Sequence, residues 1–416
     1  MDAEIIAIGT ELLLGQSVDT NSSWLARNLA RLGFNVFRLG AVGDNERRLA
    51  EAIQLALSRS EVVLTTGGLG PTVDDVTRKA VARALQKPLV FHEELAKALE
   101  ARFKARGLEY APSNLTQAFL PQGATLVPNP GGTAPGFWCK SGKGHLACLP
   151  GVPSEMKSMF EATVEPALRA LDPRGTVILS RVYRTTGLAE SLLNEKILDL
   201  FEGSENPTVA VLAHAEGVDI RLTARADGSE AAVALLDALG KRMTERLPQH
   251  IYGWDQDVME TIVGRLLATR NLTLACAESL TGGLVAQRLT QVPGATRYFR
   301  RGYVTYSDES KSQLLQVPDS VLRSKGAVSP ETALAMARGC RQADGADLGV
   351  STTGIAGPAG GTPEKPVGLV YVGLADEANA WVREFRFSGT RDSIQRKTAQ
   401  AALEWVRRYC LQLPME

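Results

Sequence analysis

The sequence lacks a surplus of charge of either sign and lacks long apolar runs. Its 416 residues include 46 Lys and Arg against 46 Asp and Glu. Proteins that bind nucleic acid as their main ligand usually carry a basic surplus, so this class is not expected. No apolar run reaches the ~18–20 residues that cross a bilayer, and no basic segment precedes the first apolar run. We therefore expect a cytoplasmic protein without a membrane span.

Cysteine and histidine are also scarce. The chain has five cysteines, at Cys139, Cys148, Cys276, Cys340 and Cys410, and four histidines. No pair of them has the C-x-x-C or His-x-His type of spacing that is typical of zinc sites. The sequence therefore predicts small buried thiols in a reducing compartment and no metal centre built from His and Cys.

What the sequence does contain is a regular alternation of strand and helix patterns. At ~100–200 residues per domain, the length predicts two to four domains, and we expect three different ones. Residues 1–172 predict an α/β domain with an open, parallel sheet. Residues 173–253 predict a small α+β domain, and residues 254–416 predict a further α/β domain that ends in an amphipathic helix. Segments 34–39 and 380–387 are candidate edge strands.

A glycine-rich loop follows a β-branched strand pattern in the first domain. Strand 61–66 runs into Gly67-Gly68-Leu69-Gly70-Pro71-Thr72. Glycines let backbone N–H groups approach an anion, and a helix predicted to start near Asp74 adds the positive end of its dipole. The spacing matches neither Gly-x-Gly-x-x-Gly nor the P-loop. The loop therefore predicts a phosphate-bearing ligand of neither of those two classes.

Two carboxylates, Asp74 and Asp75, follow this loop directly. Their simpler interpretation is a helix N-cap and a carboxylate that complements the helix dipole. Beside a phosphate, however, they would repel the ligand unless a divalent cation lay between them, and Mg²⁺-type ions use one or two carboxylates plus phosphate oxygens. The residues alone leave both interpretations open. Glu11 stands at another predicted strand end, and loops 129–136 and 150–156 add two rigid turns.

These stretches resemble the N-terminal domain of the CinA (competence/damage-inducible protein) family. The motifs are Gly-Thr-Glu-Leu-Leu-Leu-Gly-Gln at 9–16, Asp-Thr-Asn at 19–21, Thr-Thr-Gly-Gly-Leu-Gly-Pro-Thr-x-Asp-Asp-Val-Thr at 65–77 and Leu-Pro-Gly-Val-Pro-Ser-Glu-Met at 149–156. The resemblance implies a molybdopterin-binding-like α/β sandwich that hydrolyses ADP-ribose to AMP and ribose 5-phosphate. It also implies a divalent metal (Co²⁺, Mg²⁺ or Mn²⁺), held by Asp74 and Asp75, and help from K⁺. The substrate residues that it implies are Glu11, Asn21, Gly67, Gly68, Gly70, Thr72 and Ser154.

In the third segment, a serine stands at a turn from a strand to a helix. Ser279 follows the strand pattern 272–277 and precedes a helix that continues through 284–289. The N–H groups of its neighbours are therefore expected to be free, at a helix N-terminus, for an oxyanion or a phosphate. An N-cap is the simpler interpretation of this serine. A nucleophilic serine needs a base, and the segment contains no histidine, so Lys311 with Tyr306 are the candidates. The alternative for Lys311 is a solvated lysine at a helix start.

Three motifs here resemble the CinA C-terminal domain, the nicotinamide-nucleotide amidase family. They are Ala-Glu-Ser-x-Thr-Gly-Gly at 277–283, Tyr-Ser-x-x-x-Lys at 306–311 and Gly-Ile-Ala-Gly-Pro-x-Gly-Gly at 354–361. The resemblance implies an α/β/α sandwich that converts nicotinamide mononucleotide to nicotinate mononucleotide and ammonia without a cofactor. It assigns catalysis to Ser279, Tyr306 and Lys311. The substrate residues that it implies are Thr281, Gly282, Gly283, Thr353, Gly354, Gly357 and Arg391.

The expected function is therefore a homodimeric hydrolase that recycles pyridine nucleotides, with nicotinamide mononucleotide and ADP-ribose as its small-molecule partners. The alternative is a protein associated with competence or DNA damage that binds a nucleotide or pterin with little turnover. The middle segment falls where CinA proteins carry a small KH-like domain. Because it lacks both the Gly-x-x-Gly clamp and a dense basic patch, RNA binding is not expected there.

Overall fold

Short strands with apolar faces build the first part of the chain. The computed structural model describes residues 1–105, 107, 109–142, 144–172, 175–214 and 217–415. The first eight strands are β1 (Asp2–Ile8), β2 (Asn35–Val42), β3 (Val62–Thr66), β4 (Leu89–Phe91), β5 (Phe119–Pro121), β6 (Thr125–Val127), β7 (Gly136–Ser141) and β8 (Gly144–Leu149). Six of them form one sheet in the order β2-β1-β3-β8-β7-β6, and β4 pairs with β5.

This sheet is parallel only in part. Strands β2, β1, β3 and β8 run parallel, as predicted, whereas β7 and β6 are antiparallel additions. The links from β6 to β7 and from β7 to β8 are too short for the crossover that a parallel pair requires. An entirely parallel sheet was therefore the wrong prediction.

Helices pack on both faces of the six-stranded sheet. The helices of this part of the chain are α1 (Thr10–Leu13), α2 (Thr20–Arg31), α3 (Glu46–Arg59), α4 (Thr77–Ala84), α5 (Glu93–Ala105), α6 (Pro153–Met159) and α7 (Glu165–Arg169). One buried cluster packs Ile53 of α3 with Ile6 of β1, and a second packs Leu25 of α2 with Ile5. Because neighbouring strand residues point to opposite faces, β1 contributes to both cores. The domain is the expected α/β sandwich.

The helix expected near Asp74 begins instead at Thr77. The carboxylate of Asp75 turns back and accepts hydrogen bonds from the N–H groups of Gly70 (2.7 Å) and Thr72 (2.8 Å). The Thr77 hydroxyl donates to the Gly67 carbonyl at 2.9 Å. Such side-chain bonds to the backbone compete with helix formation and keep residues 70–76 in a turn. The N-cap interpretation of Asp74 and Asp75 is therefore wrong.

A four-stranded sheet with helices forms the middle of the chain, as the α+β prediction required. Its elements are β9 (Thr176–Thr185), β10 (Thr208–His214), β11 (Gly217–Asp227), β12 (Ile251–Trp254), α8 (Glu190–Glu202) and α9 (Ser229–Arg246), with strand order β10-β11-β9-β12. The chain forms two compact units, Met1–Leu179 with Ala224–Leu235 and Ser180–Thr223 with Leu236–Glu416. Because these units divide the middle segment, the boundaries after 172 and 253 stay predictions.

The last part is a second sheet between two helical layers. Its strands, in the order β14-β13-β15-β16-β17, are β13 (Leu274–Glu278), β14 (Phe299–Val304), β15 (Leu348–Gly354), β16 (Leu369–Ala375) and β17 (Ala380–Arg386). Its helices are α10 (Met259–Arg270), α11 (Leu284–Gln291), α12 (Asp308–Leu315), α13 (Asp319–Lys325), α14 (Pro330–Asp344) and α15 (Arg391–Cys410). Leu274 packs with Trp405 of α15 on one face, and Ala275 packs with Met336 of α14 on the other. The expected α/β/α sandwich is confirmed.

Three smaller predictions agree with the structure. Strands β2 and β17 occupy outer positions in their sheets, as expected for edge strands. All five cysteines are buried and free, and burial raises the pKa of the Cys410 thiol to about 11. Within the described part of the chain, no helix combines the length and the apolar character that a membrane span requires.

Candidate active sites

The first candidate site lies where β1, β3 and β8 end side by side. A cavity of about 430 Å³ opens there, between the glycine loop, the start of α1 and the turn before α6. Six of the predicted residues line it, namely Glu11, Gly67, Gly68, Gly70, Asp74 and Asp75. Asn21, Thr72 and Ser154 are not among the lining residues. The amide of Asn21 instead donates to the Thr66 hydroxyl (3.0 Å) and the Gly151 carbonyl (2.8 Å), which joins α2 to the end of β3 and to the turn before α6.

The glycines of the loop are required by close packing. A Cβ at Gly67 would lie 2.3 Å from the Ile8 carbonyl oxygen, and one at Gly68 would lie 2.4 Å from the Thr77 hydroxyl oxygen. Both residues also adopt positive φ, +112° and +64°, which L side chains rarely take. Within the described residues, no hydrogen bond uses the N–H groups of Gly68 and Leu69. These two donors remain available to an anion.

A buried arginine donates hydrogen bonds to the backbone of this loop. Arg78 is 4% exposed, and its guanidinium donates to the carbonyls of Leu69 (2.8 Å) and Gly70 (2.6 Å). Burial lowers the pKa of Arg78 to about 10, so it stays charged at neutral pH. Because the arginine holds these carbonyls, it fixes the orientation of the peptide groups in the loop. Sequence reasoning missed Arg78, since one arginine in a helix has no distinguishing pattern.

Acidic side chains dominate the lining of this cavity. Glu11, Asp44, Asp74, Asp75 and Glu155 line it, and none of the described lining residues is basic. Asp75 is occupied by the loop amides, and Glu155 accepts a hydrogen bond from Asn129 at 2.6 Å. Asp44 accepts one from the Thr10 N–H at 2.8 Å, whereas Glu11 and Asp74 are exposed.

This donor set fits a cation only if a ligand completes the coordination. Among the described residues, no three or more His, Cys, Asp or Glu side chains are grouped to hold a metal ion. Mg²⁺-type ions commonly use one or two carboxylates together with the phosphate oxygens of a substrate. A phosphate group in an acidic cavity needs such a counter-charge, because carboxylates repel it. The exposed carboxylates of Glu11 and Asp74 have the chemistry for this role.

The second candidate site lies at the end of β13. Strands β14 and β15 run parallel to it on either side, and Glu278 is in register with Val304 and Thr352. The Ser279 N–H donates to the Thr352 carbonyl at 3.0 Å, and the Thr305 N–H donates to the Glu278 carbonyl at 2.8 Å. The carboxyl ends of parallel strands meet at one edge of a sheet. Tyr306 and Lys311, which follow β14, therefore lie at the same edge as Ser279.

The buried Glu278, next to Ser279, accepts hydrogen bonds from the N-terminus of α11. Glu278 is 1% exposed, and its carboxylate accepts hydrogen bonds from the N–H groups of Gly283 (3.1 Å), Val285 (3.0 Å) and Ala286 (2.8 Å). The N–H groups of Gly283, Val285 and Ala286 are therefore not available to a ligand, because the protein supplies its own anion. A glutamate directly before a predicted helix was the available signal, since acidic groups complement helix N-termini.

Two amides beside Ser279 remain without an acceptor. In the part of the chain that the structure describes, neither the N–H of Leu280 nor that of Thr281 donates to a protein group. The Leu280 carbonyl is held by the Gln395 amide at 2.7 Å, which fixes this peptide unit. Backbone N–H groups just after a nucleophile are typical donors to an oxyanion. Gln395 is a second residue that sequence reasoning missed.

Lys311 is buried, so its interpretation as a solvated lysine is wrong. It is 1% exposed, its ammonium donates to the Ser307 carbonyl (3.4 Å), and it lies 3.7 Å from the Asp308 carboxylate. Burial is the main cause that lowers the pKa of Lys311, although Asp308 acts in the opposite direction. Loss of water disfavours the charged ammonium. The neutral amine, which a base requires, is therefore reached at lower pH than in a solvated lysine.

Arg391 connects Tyr306 to the loop after β15 that contains Gly357. Its guanidinium donates to the Tyr306 phenol oxygen and to the Gly357 carbonyl, each at 2.8 Å. Tyr306 is 60% exposed, so its hydroxyl is accessible to a ligand. The family resemblance implies that Arg391 binds substrate, whereas its observed partners are a phenol and a carbonyl. Arg391 therefore fixes the position of Tyr306.

The remaining predicted residues divide into two groups. Thr281, Gly282 and Gly283 line a cavity of about 310 Å³ together with Gln395, but Ser279, Tyr306 and Lys311 are not among its lining residues. Thr353 and Gly354 instead make hydrogen bonds that hold the sheet and its surroundings together. The Thr353 hydroxyl donates to the Ala327 carbonyl at 2.6 Å, and Gly354 pairs with β16. The structure thus brings residues 281–283 to an open cavity that the three expected catalytic residues do not line.

Family models match almost the whole chain. Residues 4–170 match the model described as the probable molybdopterin binding domain. Residues 180–253 match the KH domain of the damage-inducible protein CinA, and residues 256–410 match the CinA C-terminal domain.

Full-length relatives are similar over the same span. A CinA-like protein of Dictyoglomus thermophilum is 44% identical over 413 residues, which are 99% of this chain and 100% of the relative. A putative competence-damage inducible protein of Moorella thermoacetica is 47% identical over 403 residues, 97% of either chain. The solved CinA protein of Thermoplasma acidophilum is 32% identical and covers 40% of this chain and 99% of its own, with a TM-score of 0.38.

Proposed function

This chain belongs to the CinA family, and on that premise we propose that it is a hydrolase with two nucleotide-processing sites. The C-terminal site deamidates nicotinamide mononucleotide to nicotinate mononucleotide and ammonia. The N-terminal site hydrolyses ADP-ribose to AMP and ribose 5-phosphate. The proposal includes a cytoplasmic homodimer that recycles pyridine nucleotides.

The observation that best supports the amidase is the burial of Lys311 at the sheet edge that carries Ser279. A buried lysine is rare because loss of hydration is costly, and it persists where the fold or the chemistry requires it. Its lowered pKa suits a base near neutral pH. The third segment has no histidine, so Lys311 is the candidate base.

The proposed reaction is acyl transfer through the serine. As the amine of Lys311 takes the Ser279 proton, with Tyr306 in the relay, the serine oxygen attacks the carboxamide carbon. The N–H groups of Leu280 and Thr281 stabilise the oxyanion. The C–N bond then breaks, the proton returns to the leaving ammonia, and a nicotinoyl ester remains on the serine. Water, deprotonated by the same amine, cleaves this ester and restores the free hydroxyl.

Incubation of the full chain with nicotinamide mononucleotide tests this proposal directly. We expect one ammonia and one nicotinate mononucleotide per substrate consumed, with turnover unaffected by the absence of added metal. Ammonia release and chromatography of the nucleotides measure the two products. Binding of nicotinamide mononucleotide without any ammonia release would contradict the amidase and favour the nucleotide-binding alternative.

Replacing Lys311 by methionine is expected to separate activity from stability. Methionine fills a similar volume without a charge, so deamidation falls by at least about 100-fold while the thermal midpoint stays level or rises. In the native protein, kcat/KM should increase with pH as the amine loses its proton. Because the pKa of Lys311 is lowered, this increase should occur at lower pH than for a solvated lysine.

The control for this variant is Lys241→Gln, because Lys241 is an exposed lysine that pairs with Glu245 on the surface of α9. It should change neither the rate nor the pH profile. A Lys311→Met enzyme that keeps the native rate and pH limb would show that Lys311 is not the base.

The observation that supports the N-terminal activity is the acidic cavity beside two free amides. The N–H groups of Gly68 and Leu69 can hold a phosphate, and Glu11 and Asp74 can hold a divalent cation together with that phosphate. Such a cation, when bound, neutralises the charge that develops on the diphosphate. Asp75 has a different part in this proposal, because its carboxylate shapes the loop that presents the amides.

A further inference from the structure

The two backbone amides after Ser279, those of Leu280 and Thr281, are the proposed donors to the oxyanion. Each N–H shares a planar peptide group with the carbonyl of the residue before it, and in a trans peptide the two point in opposite directions. The Leu280 N–H is therefore paired with the Ser279 carbonyl, and the Thr281 N–H is paired with the Leu280 carbonyl. What holds these two carbonyls decides where the two donors point.

The two carbonyls are held in different ways. The Ser279 carbonyl accepts a hydrogen bond from the Gly282 N–H at 3.1 Å, which closes a turn within the same loop. The Leu280 carbonyl accepts one from the side-chain amide of Gln395 at 2.7 Å, and Gln395 stands 115 residues further along the chain. One donor is thus oriented by the loop itself, whereas the other depends on a single side chain of α15.

The packing of α15 fixes the position of this side chain. Ile394, next to Gln395, is 1% exposed and belongs to the same buried cluster as Leu280. Arg391, one helical turn earlier, donates to the Tyr306 phenol oxygen at 2.8 Å. Residues four apart lie on one face of a helix. The face of α15 that carries Arg391 and Gln395 therefore holds both the tyrosine and the peptide group after the serine.

The loop after β13 has other anchors that keep its shape. The Glu278 carboxylate accepts hydrogen bonds from three N–H groups at the start of α11. The Ser279 N–H donates to the Thr352 carbonyl at 3.0 Å, and the hydroxyls of Thr281 and Thr352 lie 2.7 Å apart. Because these bonds hold the loop on both sides, the loss of the single bond from Gln395 should change stability little.

We propose that Gln395 is a positioning residue for deamidation. Its amide holds the peptide group between Leu280 and Thr281, so that the Thr281 N–H points toward the oxyanion before the substrate reacts. Connected hydrogen bonds polarise one another, so the bond at the Leu280 carbonyl also makes the Thr281 N–H a stronger donor. In this role Gln395 touches no reacting atom. The role rests on the proposed amidase activity and adds to it the residue that orients the oxyanion site.

Steady-state deamidation of nicotinamide mononucleotide by the Gln395→Met variant of the full chain tests this role. Methionine has a similar length but no donor. We expect kcat to fall by about tenfold or more, because the oxyanion forms only in the transition state, while KM stays within about twofold of the native value. Gln395→Glu keeps the shape but presents a carboxylate to the Leu280 carbonyl, so its kcat should fall at least as far.

Gln313→Met is the matched control, since Gln313 is an exposed glutamine on α12 whose amide donates to the Glu309 carboxylate at 2.8 Å. It should change neither kcat nor KM. If Gln395→Met keeps the native kcat, raises KM alone, or loses turnover only together with a large fall in the thermal midpoint, the positioning role is wrong while the amidase stands. If the native chain releases no ammonia, the amidase is wrong, and the role of Gln395 is wrong with it.

Discussion

Replacing Ser279 by alanine is expected to lower the deamidation of nicotinamide mononucleotide by at least about 10³-fold. The proposed reaction has no other nucleophile, because the ester intermediate forms on this hydroxyl. The fold should remain intact, since the hydrogen bond of Ser279 in the sheet uses its backbone N–H, which alanine keeps. Ammonia release measures the loss, and circular dichroism with the thermal midpoint verifies the fold.

Ser310→Ala is the matched control for this variant. Ser310 is half-buried on α12, and its hydroxyl donates to the Ser307 carbonyl at 2.7 Å, so it is a serine near the same edge with a local structural contact. Its deamidation rate should stay within about twofold of the native rate. If Ser279→Ala retains more than a few per cent of native turnover, acyl transfer through Ser279 is wrong and direct attack by water would replace it.

The sequence predicted the fold well because strand and helix periodicities are local. The segments 61–66 and 380–387, for example, were expected as strands and agree with β3 and β17 to within a residue. Helix α4 was misplaced because a tertiary feature decides its start. The Thr77 hydroxyl and the Asp75 carboxylate bind loop groups that no periodicity reveals.

The candidate sites were predictable in position but not in detail. Motif residues such as Ser279 and Lys311 could be named, yet the sequence could not show that Lys311 is buried, because burial depends on the packing of α12. Glu278 and Arg78 act through hydrogen bonds to backbone groups, a role that residue type alone does not reveal in a sequence. Their roles therefore become visible only when the backbone is in place.

The zero net charge of the chain conceals a strongly acidic cavity. The N-terminal cavity has five acidic lining residues, and none of its described lining residues is basic. The balance of the whole sequence therefore excluded too little, since recognition depends on local charge. In our proposal the acidic cavity holds phosphate only together with a cation, whereas deamidation at the C-terminal site needs none. This difference gives the second large prediction a built-in control.

Excess EDTA is expected to lower ADP-ribose hydrolysis by at least about 100-fold while nicotinamide mononucleotide deamidation in the same preparation stays unchanged. Without a cation, the diphosphate would face Glu11, Asp74 and three further carboxylates, and the two amides of the glycine loop cannot offset that repulsion. AMP formation measures the first activity, and ammonia release measures the second. Re-addition of Mg²⁺, Mn²⁺ or Co²⁺ should restore AMP formation.

The variant Asp74→Asn sharpens this prediction. Because Asp74 is exposed, its loss should raise the metal concentration for half-maximal hydrolysis by about tenfold or more and change the thermal midpoint little. Asp75→Asn should instead lower the thermal midpoint, since Asp75 accepts the hydrogen bonds of Gly70 and Thr72. ADP-ribose hydrolysis that continues at the native rate in EDTA would show that no metal takes part. An unchanged metal requirement in Asp74→Asn would remove Asp74 from the cation site.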